Sequence, residues 1–174
     1  MIDLLRKCKA YGNGFRSFTL LCSVCILIAD KKGEKMKIIV CVDNKGGMAF
    51  FKKRQSQDRI LREDILNNLH GSKLWMSPYS LKQFKEENEE NLLADEQFLD
   101  AAGEDDYCFV ENQNLQPYKD KITEITVYRW NRDYPADLFL DIDLKDWELS
   151  DSAEFAGNSH EKITKERYRK NTLI

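Results

Sequence analysis

The chain has 174 residues, 42% of them apolar and 33% charged, with a formal net charge of −3. This composition excludes a wholly disordered or membrane-embedded protein and suits one domain with a proper hydrophobic core. A pI near 5.5 excludes non-specific nucleic-acid binding over the whole surface and leaves only a local basic patch to consider. Five cysteines, without a regular framework, argue against a secreted disulfide scaffold and for a reducing cytoplasm.

Residues 1–35 read differently from the rest. A basic start and a Tyr11-Gly-Asn-Gly14 turn lead into Phe18–Ala29, mostly apolar but shorter than the roughly 20 residues a membrane-spanning helix needs. Asp30-Lys-Lys-Gly-Glu-Lys35 follows, without a small-x-small cleavage site. Lys31–Met36 is what a purine-rich ribosome-binding stretch ahead of a start codon gives when translated in frame. The expectation is an over-extended or disordered apolar leader with Met36 as the natural start; a hydrophobic anchor and a cleaved signal are the alternatives. Membrane contact is expected only if 18–29 is real and exposed. Cys22-Ser-Val-Cys25 has the spacing of a redox or metal pair, yet with no second pair it reads as two buried thiols.

Ile38–Val42 is a short continuous apolar run, the pattern of a strand covered on both faces, and Asp43-Asn-Lys-Gly-Gly47 ends it with turn chemistry. Phe50–Asp58 reads as a basic, polar loop entering a helix, with Ser56 or Asp58 as N-cap. Leu61, Ile65 and Leu69 repeat at helical spacing and Gly71 supplies the stop. Lys73–Ser77 is a second strand, and Pro78 opens a helix through Phe84. Lys85–Asn91 is a solvated charged run, and Asp95–Ala102 another short helix with Phe98 and Leu99 buried. Tyr107–Val110 is a third strand, Pro117–Lys121 a helical connection, and Ile122–Trp130 a fourth strand. Ala136–Asp141 and Trp147–Leu149 are further strand candidates, whereas Glu161–Lys170 reads as a charged helix or a frayed end. Strands alternating with helices predict a three-layer αβα domain over 36–174, its sheet mostly parallel with an antiparallel C-terminal edge.

This order of elements resembles dihydrofolate reductase over about residues 36–160. The strings that carry the resemblance are the first strand with Gly47-Met48, the helix led by Asp58, and Lys73-Leu-Trp-Met-Ser-Pro-Tyr-Ser80. Asp95–Asp106, Tyr134-Pro-Ala-Asp137, Asp146-Trp-Glu148 and Asn158-Ser-His160 continue it. The resemblance implies a ligand cleft at the carboxyl ends of the strands, NADPH as cofactor, and Asp58 near the family's substrate-binding acid. Asp58 is therefore the candidate catalytic residue, with a dipole-favoured helix cap as its structural alternative. Gly47, Met48, Arg54, Gln55, Ser77, Tyr79, Ser80, Glu111 and Asn112 are the candidate ligand-binding residues. Two departures argue against the cofactor. Ser77-Pro-Tyr-Ser80 stands where the family has a cationic phosphate-binding turn, and Glu111-Asn112 stands where it has a Gly-Gly pair. No cofactor is expected, and NADPH is the disfavoured exception.

Lys52, Lys53, Arg54, Arg59 and Arg62 form the dense basic cluster; a solvated face is the bland account and nucleic-acid binding the sharp one. A resemblance to sequences labelled ribonuclease Z has no residues behind it, because nothing here matches that family's His-x-His-x-Asp-His core. His70 and His160 lack metal-spaced partners, and no metal is expected. The expected function is that of a cytoplasmic, bacterial-type small-ligand-binding or regulatory module. A small reductase or other enzyme using an Asp58/Glu111 cleft is the alternative, and nucleic-acid processing a further one.

Overall fold

The computed structural model describes residues 35–84 and 90–170. The apolar leader and most of the charged run at 85–91 lie outside the described residues. In chain order the strands are β1 (Met36–Val42), β2 (Gly47–Phe50), β3 (Lys53–Arg54), β4 (Leu74–Met76) and β5 (Leu92–Ala94), then β6 (Tyr107–Val110), β7 (Ile122–Arg129), β8 (Leu138–Phe139), β9 (Trp147–Phe155) and β10 (Ile163–Lys170). The α-helices are α1 (Arg59–Asn67), α2 (Pro78–Leu81) and α3 (Phe98–Ala101).

The main sheet runs β5-β4-β6-β1-β7-β10-β9. Its first four pairings are parallel, and β10 pairs antiparallel with both β7 and β9. Alternation along β1 explains the layers. Ile38, Val40 and Val42 face Phe98, Leu99 and Leu115, while Ile39 and Cys41 face Leu61, Ile65 and Leu69. Each of these side chains stabilises the fold by roughly 1.5–3 kcal/mol on burial, enough to hold so short a helix as α1 in place. Among the described residues no helix is long and apolar enough to cross a membrane.

The predicted alternation of strands and helices is observed, as is the antiparallel C-terminal edge. Three local readings change. Glu161–Lys170 is neither helix nor frayed end: β10 is an inner strand, and its basic side chains are matched by acids on neighbouring elements, Lys165 by Asp64 at 2.7 Å and Arg169 by Glu124 at 3.3 Å. The loop expected at 50–58 contains a hairpin, β2–β3, which joins β8 in a small second sheet. Residues 92–94 form the edge strand β5.

Candidate functional site

Parallel neighbours end together, and here they deliver three polar residues to one end of the sheet. Asp43 follows β1, Ser77 follows β4 and Glu111 follows β6; all three are buried. The carboxyl ends of parallel strands are where open α/β sheets bind ligands.

Asp43 holds the turn after β1. Its Oδ1 accepts from the Gly47 amide at 2.7 Å and the Lys45 amide at 2.8 Å, and its Oδ2 accepts from Gln55 Nε2 at 3.3 Å. A Cβ on Gly47 would lie 2.5 Å from the Ala136 Cβ, so glycine is required by the close approach of the 134–137 segment. Met48 packs into the core rather than lining a cleft. Sequence reasoning treated Asp43 only as turn chemistry; an Asp preceding Asn-Lys-Gly-Gly is the signature of a side chain that bonds its own loop.

Arg54, Ser77, Tyr79, Ser80 and Glu111 do converge. Arg54 reaches from β3 so that Nε lies 3.1 Å from Glu111 Oε1, and Nη2 donates to the Tyr79 carbonyl at 3.0 Å. The guanidinium stacks on the Tyr79 ring at 4.5 Å, and the Tyr79 hydroxyl accepts from the Arg54 amide at 3.1 Å. Ser77 caps α2 by accepting from the Ser80 amide at 3.1 Å. Burial pushes the Glu111 carboxyl above its ordinary value, with Arg54 acting in the opposite direction. Ser80 and Gln83 lie beside it, yet among the described residues Glu111 Oε2 has no well-aligned hydrogen bond. Asn112 is half-buried beyond Glu111.

Asp58 stands at the head of α1, and among the described residues its hydrogen bonds go to Ile60, Leu61 and residues 158–160 rather than to this cluster. Its Oδ1 accepts from the amides of Ile60 at 2.9 Å and Asn158 at 2.9 Å. Its Oδ2 accepts from the Ser159 amide at 2.7 Å and the Ser159 hydroxyl at 2.9 Å, with His160 Nδ1 at 3.4 Å. Burial pushes this carboxyl up, but the Ser159 and Asn158 donors outweigh it and hold the group well below the usual carboxylate range. Asp58 thus fastens the β9–β10 connection to α1, and a Cβ at Gly157 would lie 2.5 Å from its Oδ2.

A chain of contacts runs outward from Asp58. His160 is 3% exposed and stacks on Trp130 at 4.6 Å, and its Nε2 lies 3.0 Å from the Tyr134 hydroxyl. Tyr134 in turn lines a cleft of about 370 Å³ together with Phe50, Phe51, Arg54 and Gln55. Neither Tyr134 nor the pairing of His160 with Asp58 was evident in the sequence, where the three residues are far apart. The mouth of this cleft is unusual. Phe51 and Lys52 form the two-residue loop between β2 and β3, with φ of 48° and 60°. Such a loop favours Asn-Gly, and a bulky residue there is strained. Phe51 is also 73% exposed, its ring 4.3 Å from that of Phe50.

The basic cluster at 52–62 is divided between elements. Arg54 is in the buried pair, Arg59 pairs with Glu63 along α1, and Lys52 and Lys53 sit on the hairpin. Among the described residues no group of three or more His, Cys, Asp or Glu is placed to hold a metal ion.

The architecture is that of a dihydrofolate reductase-like α/β domain. Dihydrofolate reductase from Enterococcus faecalis, solved with NADP(H) and RAB-propyl, superposes with a TM-score of 0.55 at 12% identity, covering 79% of this chain and 96% of that one. No protein-family model matches the chain, and no curated protein matches it.

Proposed function

We propose that this protein is a small-ligand-binding module that uses the 50–55/134–135 cleft of a reductase-like fold without a nicotinamide dinucleotide. The observation that carries this reading is Phe51, exposed and held at positive φ at the mouth of a cleft with Lys53 and Arg54 in its wall. A strained, exposed aromatic on a hairpin is costly to folding and favours a role in binding. Phenyl faces beside the Lys53 ammonium suit a planar aromatic ligand that bears a carboxylate or similar anion. The dinucleotide fits poorly. Glu111 places a buried carboxyl at the carboxyl end of β6, where backbone would have to approach a diphosphate, and the nearby Arg54 is already committed to Glu111 and Tyr79.

Calorimetric titration of the full chain with a panel of planar aromatic carboxylates, and separately with NADPH, tests both parts. Saturable binding of a panel member, weakened about tenfold by Phe51→Gly, is expected. The same substitution should raise the melting temperature, because glycine relaxes the positive φ. Failure of the whole panel would overturn the ligand class, and tight saturable NADPH binding would overturn the absence of a cofactor.

A second reading, an enzyme, is favoured by the Asp58–His160–Tyr134 chain, which ends in the cleft wall. A tyrosine hydroxyl backed by a histidine and an ionised carboxylate is equipped to pass a proton. Tyr134→Phe should then abolish turnover of the identified ligand with little change in its affinity. Unchanged turnover removes that reading.

A further inference from the structure

The opposite end of the sheet carries a second recess, of about 480 Å³, outside the cleft just described. Its origin is a mismatch of lengths. The nine residues of α1 cover about 13 Å, whereas the eight of β7 run about 26 Å, so the sheet outlasts the helix that covers it. Under α1 this face of the sheet is apolar and buried, with Ile39, Cys41 and Phe109. Beyond it the same face becomes charged. One row across the sheet reads Tyr107, Lys37, Glu124, Arg169, each paired in register with the next. Arg167 is the next residue on this face of β10, and Lys170 ends that strand.

Four cations, Lys37, Arg167, Arg169 and Lys170, therefore share this recess with one carboxylate, Glu124. Arg167 Nε and Arg169 Nε approach its two oxygens at 3.5 Å and 3.3 Å, so one negative charge is divided between two guanidiniums. Arg167 Nε is shielded from solvent and has no aligned hydrogen-bond partner among the described residues. The other acids lie at the rim. Asp105 contacts Lys37 at 3.1 Å and Asp120 contacts Lys170 at 3.9 Å, with side chains 76% and 105% exposed. Exposed pairs of this kind contribute little and exchange readily for a stronger anion. The carbonyl end of α1, at Asn68, opposes an anion, but only weakly against several full cationic charges.

We propose that this recess binds a phosphate-bearing small molecule. Two guanidiniums and two lysines offer the multiple donors that phosphate oxygens accept, and four cations against one carboxylate favour a multiply charged anion. The volume suits a compact phosphorylated metabolite, and the acidic chain as a whole disfavours a nucleic-acid surface.

The test is thermal denaturation of the full chain against inorganic phosphate and pyrophosphate, each at fixed ionic strength with chloride as balance. Saturable stabilisation is expected, stronger for pyrophosphate. Lys37→Gln with Arg169→Gln should weaken it at least about tenfold, whereas Lys37→Arg retains it and Arg59→Gln, on the outer face of α1, leaves it unchanged. If the double substitution fails to fold, Lys37→Gln alone supplies the same comparison. Stabilisation that never saturates, or that survives loss of the cations, overturns the proposal. So does tight binding of a single-stranded oligonucleotide that phosphate cannot displace.

Discussion

Asp58, at the head of α1, and Glu111, at the carboxyl end of β6, are both buried carboxylates, 2% and 6% exposed, and their surroundings drive them in opposite directions. Asp58 is met by backbone amides of two separate segments and by a serine hydroxyl, so its charge is more stable inside the protein than in water. Glu111 has one cation at 3.1 Å and an oxygen without an aligned donor, and desolvation dominates. Burial alone therefore does not decide ionisation; the count of aimed donors does. The comparison also separates roles. Asp58 has spent its acceptor capacity on holding α1 to the β9–β10 connection, whereas Glu111 retains capacity at the end of a central strand.

Removing the better-satisfied group should do the greater harm. Asp58→Ala removes a helix cap and leaves the Asn158 and Ser159 amides without their acceptor, at a cost of about 3–5 kcal/mol by chemical denaturation. A loss below about 1 kcal/mol would show that the connection is held by its packing instead. The sign of the pH effect follows from the depressed carboxyl. Asp58 contributes stability above its ordinary value of 3.8 and loses it as pH falls towards its folded value. The gap between wild type and Asp58→Asn should therefore narrow on acidification below about pH 4.

The Arg54 side of the comparison comes next. Arg54→Ala leaves Glu111 buried without its cation and should cost about 2–4 kcal/mol. Adding Glu111→Ala should recover part of that loss, because the penalty belongs to the uncompensated charge rather than to the missing contact. Strictly additive losses in this double-mutant cycle would mean that Arg54 acts through its stacking on Tyr79 instead.

Legibility in the sequence followed locality. The strand 36–42, the α1 repeat Leu61–Ile65–Leu69 and the buried pair Phe98–Leu99 were readable because apolar periodicity and burial reinforce each other there. β10 was not. Lys165, Arg167 and Arg169 alternate as a strand requires, but a basic face looks solvated until Asp64 and Glu124 on other elements are known to meet it. The β2–β3 hairpin was hidden because its turn carries Phe-Lys in place of the usual Asn-Gly. Arg54, Tyr79 and Glu111 were each selected from position in the chain, and the structure brings them together; their mutual pairing is a long-range fact that no spacing encodes. Asp58 was legible as an N-cap, since only its own helix is needed for that, whereas its bonds to residues 158–160 span a hundred positions.

The smallest and sharpest effect is expected from Glu111→Gln. Glutamine keeps the shape and stays neutral, so it mimics the protonated glutamic acid. Because the folded carboxyl titrates above its ordinary value of 4.5, its neutral form is favoured in the folded state. That contribution is complete below 4.5 and is lost as pH rises through the folded value. Wild type and variant should therefore have similar stability in acid, with the wild type falling behind as pH climbs towards neutrality. Denaturation midpoints between pH 4 and 8 measure that difference. A wild type that instead gains on the variant with rising pH would show that the ion pair with Arg54 outweighs desolvation, and Glu111 would then join Asp58 as a satisfied structural anion.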